Sequence, residues 1–346
     1  YLDIALLAQR YVGLLPVVIL GTGATIPYYL PSMYDLAQNL IALQISDISG
    51  WSEFVEQLTK FEDLEKALSS FDIHEDLLQL VVSETWKFIC ERDIAFFNQL
   101  HQDQSSFPLA DLFKYLLRTS SAHLNVITTN YDRVAEYAAN INNYYVSTGI
   151  TEGWFQRFEP EIIAQRTLSR RKINENCYEG HVRLLKVHGS LDWFSSTTFI
   201  KARAEQALSS ILNGLTPLII TPGVKKYQQA WEDPFRTILS CSDQMIKDAA
   251  CYLCIGYGFN DEHVQPKLIE QVTSKNIPLV IVTKQITANA REKFLIDPPK
   301  DFLFFEEDED SGGTVVYRPD APEGLVISDR ILWTLDGFLS FFIGGR

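Results

Sequence analysis

Positive charge is scarce in this chain: 30 lysines and arginines stand against 44 aspartates and glutamates, a formal charge of −14 over 346 residues. No stretch gathers its basic residues into a stripe able to neutralise several phosphates, so direct nucleic-acid binding is not expected. Long apolar runs are missing too. Tyr11–Leu20 is too short to cross a membrane and ends in Gly-Thr-Gly rather than a cleavage signature, so it reads as a buried strand. The five cysteines, Cys90, Cys177, Cys241, Cys251 and Cys254, are odd in number and scattered through apolar segments. That pattern suits a reducing cytoplasm rather than a disulfide frame. Only Cys251 and Cys254 have the spacing of a metal knuckle. They fall in Ala249–Gly256, which reads as a strand whose residues three apart face opposite sides, and no second pair accompanies them, so no zinc is expected.

With 46% hydrophobic and 21% charged residues the composition is that of an ordinary globular protein, long enough for one sizeable core over residues 1–346. Val17–Leu20 is a β-branched apolar run stopped by Gly21, and a helical pattern follows from Ser32, with Met33, Leu36, Ala37, Leu40 and Leu43 on one face. From Trp51 to Ser121 apolar residues recur at three and four, which predicts a helical insertion over 51–121 whose apolar faces serve either the core or a subunit contact. Leu124–Thr129 is the next strand, and Tyr131–Ala139 the next helix. Residues 140–180 show no clear period and read as an irregular excursion at the edge of the core. Leu184–Val187, Leu218–Thr221, Cys251–Gly256 and Leu279–Thr283 are further apolar runs, the last preceded by a helix at Asp261–Ser274. Such alternation predicts an α/β fold with a Rossmann-like, mostly parallel sheet covered by helices on both faces. Phe302–Glu306 and Thr314–Tyr317 read as a final strand pair around a solvated acidic loop, and Asp329–Phe342 as a last helix, docked on the core or on another subunit.

Four strand ends carry polar chemistry. Gly21-Thr22-Gly23-Ala24-Thr25 closes the first strand, where glycine lets the backbone approach a pyrophosphate or simply makes a tight turn. The six-residue dinucleotide fingerprint is incomplete, since Ile26 stands where its third glycine belongs. Thr128-Thr129-Asn130-Tyr131-Asp132 follows Val126-Ile127 at a carboxyl strand end, where open α/β sheets place ligands, although Thr129, Asn130 and Asp132 also suit a helix start. Lys186-Val187-His188-Gly189-Ser190-Leu191-Asp192-Trp193 ends a third strand in a histidine. Gly256-Tyr257-Gly258-Phe259-Asn260-Asp261 ends a fourth, with Asn260 or Asp261 bonding ribose hydroxyls or capping the next helix. Convergence of these ends on one rim of the sheet is a stronger signal than any one of them.

Taken as a set, the four segments resemble those of the sirtuin-like domains of bacterial NAD-consuming defence proteins. Gly21–Thr25 is similar to the family's Gly-Ala-Gly-x-Ser turn, Thr128–Asp132 to its Thr-x-Asn-x-Asp segment, Lys186–Trp193 to its His-Gly-Ser-x-Asp-Trp strand end, and Gly256–Asp261 to its Gly-Tyr-Gly/Ser-Phe-x-Asp turn. The chain lacks the two Cys-x-x-Cys pairs of the sirtuin deacylases, and Ile26–Ser32 lacks their Gly-Ile-Pro-Asp-Phe-Arg run. The resemblance therefore implies the NAD glycohydrolase branch: NAD+ is the substrate, cleaved to nicotinamide and ADP-ribose in anti-phage defence. It also implies a homo-oligomer and, for some members, a HerA-type ATPase partner.

What the resemblance implies for the site is specific. Asn130 holds the carboxamide or the attacking water, His188 accepts a proton, and Asp132 orients the site or favours positive charge at the ribose. Gly21, Thr22, Gly23, Ala24 and Thr25 hold the diphosphate, with Thr129, Gly189, Ser190, Gly256, Gly258, Asn260 and Asp261 completing the NAD site. Two other readings stay open: a sensor that binds NAD or ADP-ribose without cleaving it, and a protein deacylase.

Overall fold

The computed structural model describes residues 1–62, 64–71, 73–104, 106–118, 123–151, 156–164, 180–195, 200–202, 215–221, 232–261 and 263–343. Its frame is a nine-stranded sheet. In chain order the strands are β1 (Val17–Leu20), β2 (Leu124–Thr128), β3 (Tyr144–Ser147), β4 (Gly180–Lys186), β8 (Tyr252–Ile255), β9 (Leu279–Val282), β10 (Phe302–Glu307), β11 (Thr314–Arg318) and β12 (Ala321–Ile327). Across the sheet the order is β12-β11-β10-β9-β8-β1-β2-β4-β3. All pairs from β3 to β10 are parallel, and β11 and β12 add on antiparallel.

Buried parallel strands must be apolar on both faces, and these are. Val18, Leu20, Val126, Leu253 and Ile255 point into one core layer, and Val17, Ile19, Ile127, Tyr252 and Cys254 into the other. Cys251 and Cys254 fall in opposite layers, as a three-residue offset on a strand requires. The first layer is covered by helices α1 (Leu2–Val12), α6 (Pro108–Leu117), α7 (Val134–Ile141) and α12 (Leu335–Ile343). The second is covered by α9 (Phe235–Lys247), α10 (Gln265–Lys275) and α11 (Ala288–Phe294). The expected mostly parallel sheet with helices on both faces is therefore present.

Several boundaries differ from expectation. Tyr11–Leu20 is not one strand: Tyr11 and Val12 end α1, Leu15 takes a left-handed φ of 55°, and only Val17–Leu20 is extended. The helix after Thr128–Asp132 begins at Val134, and the helix expected from Asp261 begins at Gln265. Residues 140–180 are not wholly irregular, since Tyr144–Ser147 pairs with β4 as the edge strand. Leu218–Thr221 does not join the main sheet. Thr216–Ile219 (β7) flanks β5 (Gly189–Ser195) in a separate antiparallel sheet with β6 (Ile200–Ala202). A third C-terminal strand, β12, follows the expected pair, and the last helix runs over Leu335–Ile343, with Phe338, Leu339 and Phe342 buried in the core. Cys177 lies outside the described residues.

The segment after Trp51 forms α3 (Trp51–Phe61), α4 (Leu64–Ser69) and the 28-residue α5 (Glu75–Gln102), followed by α6. With α2 (Met33–Ala42) the first of these build an apolar cluster of their own around Trp51, Phe54, Leu58 and Leu77. α5 belongs to two clusters: Leu77 and Val81 pack there, whereas Trp86, Ile89, Phe96 and Leu100 pack in the main core. The buried apolar residues of the insertion thus pack within the chain, while Phe61 and Phe97 stay exposed.

Candidate functional site

The order in which strands are added reverses at β1. From β1 the chain goes to β2 on one side, and β8 later docks on the other before continuing outward to β9. Open parallel sheets place their ligand crevice at such a point, beyond the carboxyl strand ends. Register brings the ends level, with Leu20 opposite Thr128 and Ile255, and Thr128 opposite Lys186. A cavity of about 390 Å³ opens there, within the size range of small-molecule sites.

Gly21, Thr22, Thr129, Asn130, Asp132, His188, Gly256, Gly258, Asn260 and Asp261 line this cavity. The remaining expected residues sit behind it. Gly23 is stacked on Gly256, where an added Cβ would come 2.8 Å from the Gly256 Cα. Ala24 is buried, and Thr25 supports Asn130 from below. Gly189 makes the close crossing of β5 with β7, at a φ of 87°, and Ser190 bonds Asp192. The amides of Gly21, Gly23, Ala24 and Thr25 already donate to the carbonyls of Ile255, Gly256, Gly21 and Thr22. What the turn presents to the cavity is therefore Gly21 and Thr22.

Asn130 is fixed from both ends. Its backbone amide donates to the Thr128 hydroxyl oxygen at 3.1 Å, and its side-chain Nδ2 donates to the Gly21 carbonyl at 3.0 Å and to Thr25 Oγ1 at 3.3 Å. Those two bonds tie the second strand end to the glycine turn. His188 follows β4, and its Nε2 lies 2.7 Å from Asp261 Oδ2. The other Asp261 oxygen accepts the amides of His263 and Val264, both at 3.0 Å, just before α10. Asp261 thus closes the turn before α10 and faces the histidine at once.

Asp132 is buried beside them, with Oδ1 accepting the Val134 amide at 3.1 Å. Removal from water pushes its carboxyl up to about 6, against the pull of the Lys186 ammonium. Lys186, the last residue of β4, is fully buried, donates to the Asp132 carbonyl, and pairs with Glu136 at 3.0 Å. Burial pushes Glu136 up to about 7, with Lys186 opposing, and Glu136 Oε2 has no hydrogen-bond partner among the described residues.

The far wall was not read from sequence. It comes from Leu30 to Met33 and Leu36, and from Glu62, Leu64 and Ile89 of the insertion. The only signal available was negative: apolar residues on helices whose partners lie in another part of the chain. The cavity is consequently polar on the side of the strand ends and largely apolar opposite them. Among the described residues, no group of three or more His, Cys, Asp or Glu is placed to hold a metal ion, and no helix is long and apolar enough to cross a membrane.

A model of the SIR2-like domain matches residues 124–300, just over half of the 346 residues. The chain belongs to the SIR2-like domain family. The matched span carries Asn130, Asp132, His188 and the Gly256–Asp261 turn, while the glycine turn at Gly21 and the insertion precede it. No curated protein matches the SIR2-like chain. Among solved structures it is similar to a Sir2 homologue in complex with NAD, at 12% identity over 83% of this chain and 82% of that chain, with a TM-score of 0.42. It is also similar to Sir2Tm bound to a propionylated peptide, at 15% identity over 81% and 87% of the two chains, with a TM-score of 0.39.

Proposed function

We propose that this SIR2-like chain hydrolyses NAD+ to nicotinamide and ADP-ribose. One observation carries the reading: Asn130, His188 and Asp132, from two neighbouring strand ends, face a single cavity at the point where the strand order reverses. The nicotinamide of NAD+ is already cationic, so it leaves with the electron pair of its bond to ribose and needs no acid. Water forms the new bond to the anomeric carbon, and its proton passes to His188. Asn130, immobilised by Gly21 and Thr25, holds the carboxamide or the water. Asp132 in its ionised form favours the positive charge that develops on the ribose. Thr22, Thr129, Asn260 and the cavity faces of Gly21, Gly256 and Gly258 hold the rest of the dinucleotide.

In the cell this activity depletes NAD+ as an anti-phage effector, held in check until assembly into a homo-oligomer or contact with a HerA-type ATPase releases it. The reading is supported by the family and by the resemblance of the four strand ends.

The direct test mixes the purified chain with NAD+, alone and with candidate ATPases, and follows nicotinamide and ADP-ribose. Asn130→Ala and His188→Ala should each lower release by about 10²- to 10⁴-fold while remaining folded. Full turnover in both variants defeats the assignment, and saturable NAD+ binding with no nicotinamide released would instead identify a sensor.

A further inference from the structure

The insertion reaches the catalytic segment through one buried carboxylate. Asp93, on α5, has a side chain with 0% exposure. Its Oδ1 accepts the backbone amide of Arg133 at 2.7 Å, and its Oδ2 accepts Arg133 Nε at 2.8 Å and the Tyr137 hydroxyl at 2.6 Å. Arg133 directly follows Asp132. From the opposite side, the buried Lys186 ammonium donates to the Asp132 carbonyl. The backbone at 132–133 is thus gripped between two buried charges.

Buried charges are a costly way to fasten a backbone, because apolar residues of similar volume hold a fold as well or better. What charges add is direction, since a carboxylate that takes a backbone amide and a guanidinium together allows one placement of that peptide. The same helix contributes Ile89 to the cavity wall and donates Trp86 Nε1 to the Leu191 carbonyl at 2.8 Å, in the strand that leaves His188. Both strand ends that carry Asn130 and His188 are therefore fastened to α5.

We propose that Asp93 is a positioning residue: through Arg133 it sets the Asn130–Asp132 segment in register with the cavity, which gives the helical insertion a part in turnover. The role in turnover rests on the NAD-cleaving reading, whereas the positioning itself does not.

The test compares the full chain with Asp93→Ala/Arg133→Ala, which leaves no uncompensated buried charge, and with Asp93→Asn, which keeps an acceptor for the Arg133 amide. The double variant should release nicotinamide with kcat lowered about tenfold or more and KM changed less than about threefold, and Asp93→Asn should recover part of that loss. Exchange of the backbone amides at positions 133 and 134 should accelerate more than about tenfold in the double variant while β8 amides stay protected. A folded double variant with unchanged kcat overturns the role in turnover. Unchanged exchange of the amide at position 133 overturns the positioning, even if the parent chain proves unable to cleave NAD+. Should the double variant not fold, Asp93→Asn carries both comparisons, with losses expected in the same direction.

Discussion

His188 Nε2 faces one oxygen of Asp261 at 2.7 Å, while the other oxygen of that carboxylate accepts the amides of His263 and Val264 in the turn before α10. A single side chain thereby joins the end of β4 to the loop after β8. Asparagine accepts the same turn amides as aspartate but carries no charge. Asp261→Asn should therefore preserve the thermal transition and lower kcat for nicotinamide release by about tenfold or more, within the range a positioned base contributes. Calorimetry beside steady-state kinetics separates the two functions, and a variant that unfolds early but turns over normally when folded contradicts the pairing.

Asp132 has a pH signature. Its carboxyl, ordinarily at 3.8, is raised to about 6 by burial, so the folded chain binds this proton more tightly than the unfolded chain does. Its contribution to stability is complete below about pH 4 and is lost as pH rises through 6, a loss of roughly 3 kcal/mol. Asp132→Asn cannot ionise. Relative to the parent, it should gain about 2–3 kcal/mol of unfolding free energy between about pH 4 and pH 8, while its NAD+ cleavage falls. Urea titrations across that interval check the sign. A difference that stays flat with pH rules out a raised carboxyl at this position.

Lys186 and Glu136 form a buried pair in which neither partner tolerates the loss of the other. Lys186→Met should cost about 3–5 kcal/mol, because the Asp132 carbonyl and Glu136 lose their donor together. Lys186→Met/Glu136→Leu should recover most of that stability without recovering activity. Equal destabilisation of the single and double variants would argue against the pair.

The parts of this structure that were legible in the sequence are those whose signal is local. Val17–Leu20 and Cys251–Gly256 are apolar on both faces and end in glycine, so they read as buried parallel strands, and the three-and-four spacing of 51–121 reads as helix. Tyr144–Ser147 was missed because it lies at the sheet edge, with Tyr145 and Val146 only half-buried and no clean alternation. β12 was missed for a similar reason, since Pro322 and Gly324 are tolerated on an outer edge and hide its period. Leu218–Thr221 shows the opposite failure: a short apolar run does not state which sheet it joins. At the site, Asn130, Asp132, His188 and Asp261 stood out as polar residues closing apolar strands. Asp93 did not, because its partner Arg133 is 40 residues away, although a charge on the helix face shared with Cys90 and Phe96 was a usable sign.

The glycines of the site have a different job from the one their motif suggests. An added Cβ at Gly256, where φ is 53°, would stand 2.2 Å from the Gly23 carbonyl carbon and 2.3 Å from the Ala24 nitrogen, and one at Gly21 would stand 2.4 Å from the Gly256 oxygen. These are contacts between two backbones, with no flexible side chain to give way. The glycines let the ends of β1 and β8 cross, and the cavity exists because they do. At Gly258 the nearest atoms to an added Cβ are side-chain atoms of Asn260 and Thr287 at 3.3 Å, which can yield. Gly256→Ala should therefore lower unfolding free energy by about 2–3 kcal/mol or more, and Gly258→Ala by less than about 1 kcal/mol. A requirement for glycine set only by the dinucleotide would give the reverse pattern at Gly256, a chain as stable as the parent that has lost only NAD+ binding. Urea midpoints measured without ligand, beside NAD+ titrations of both variants, decide between the two.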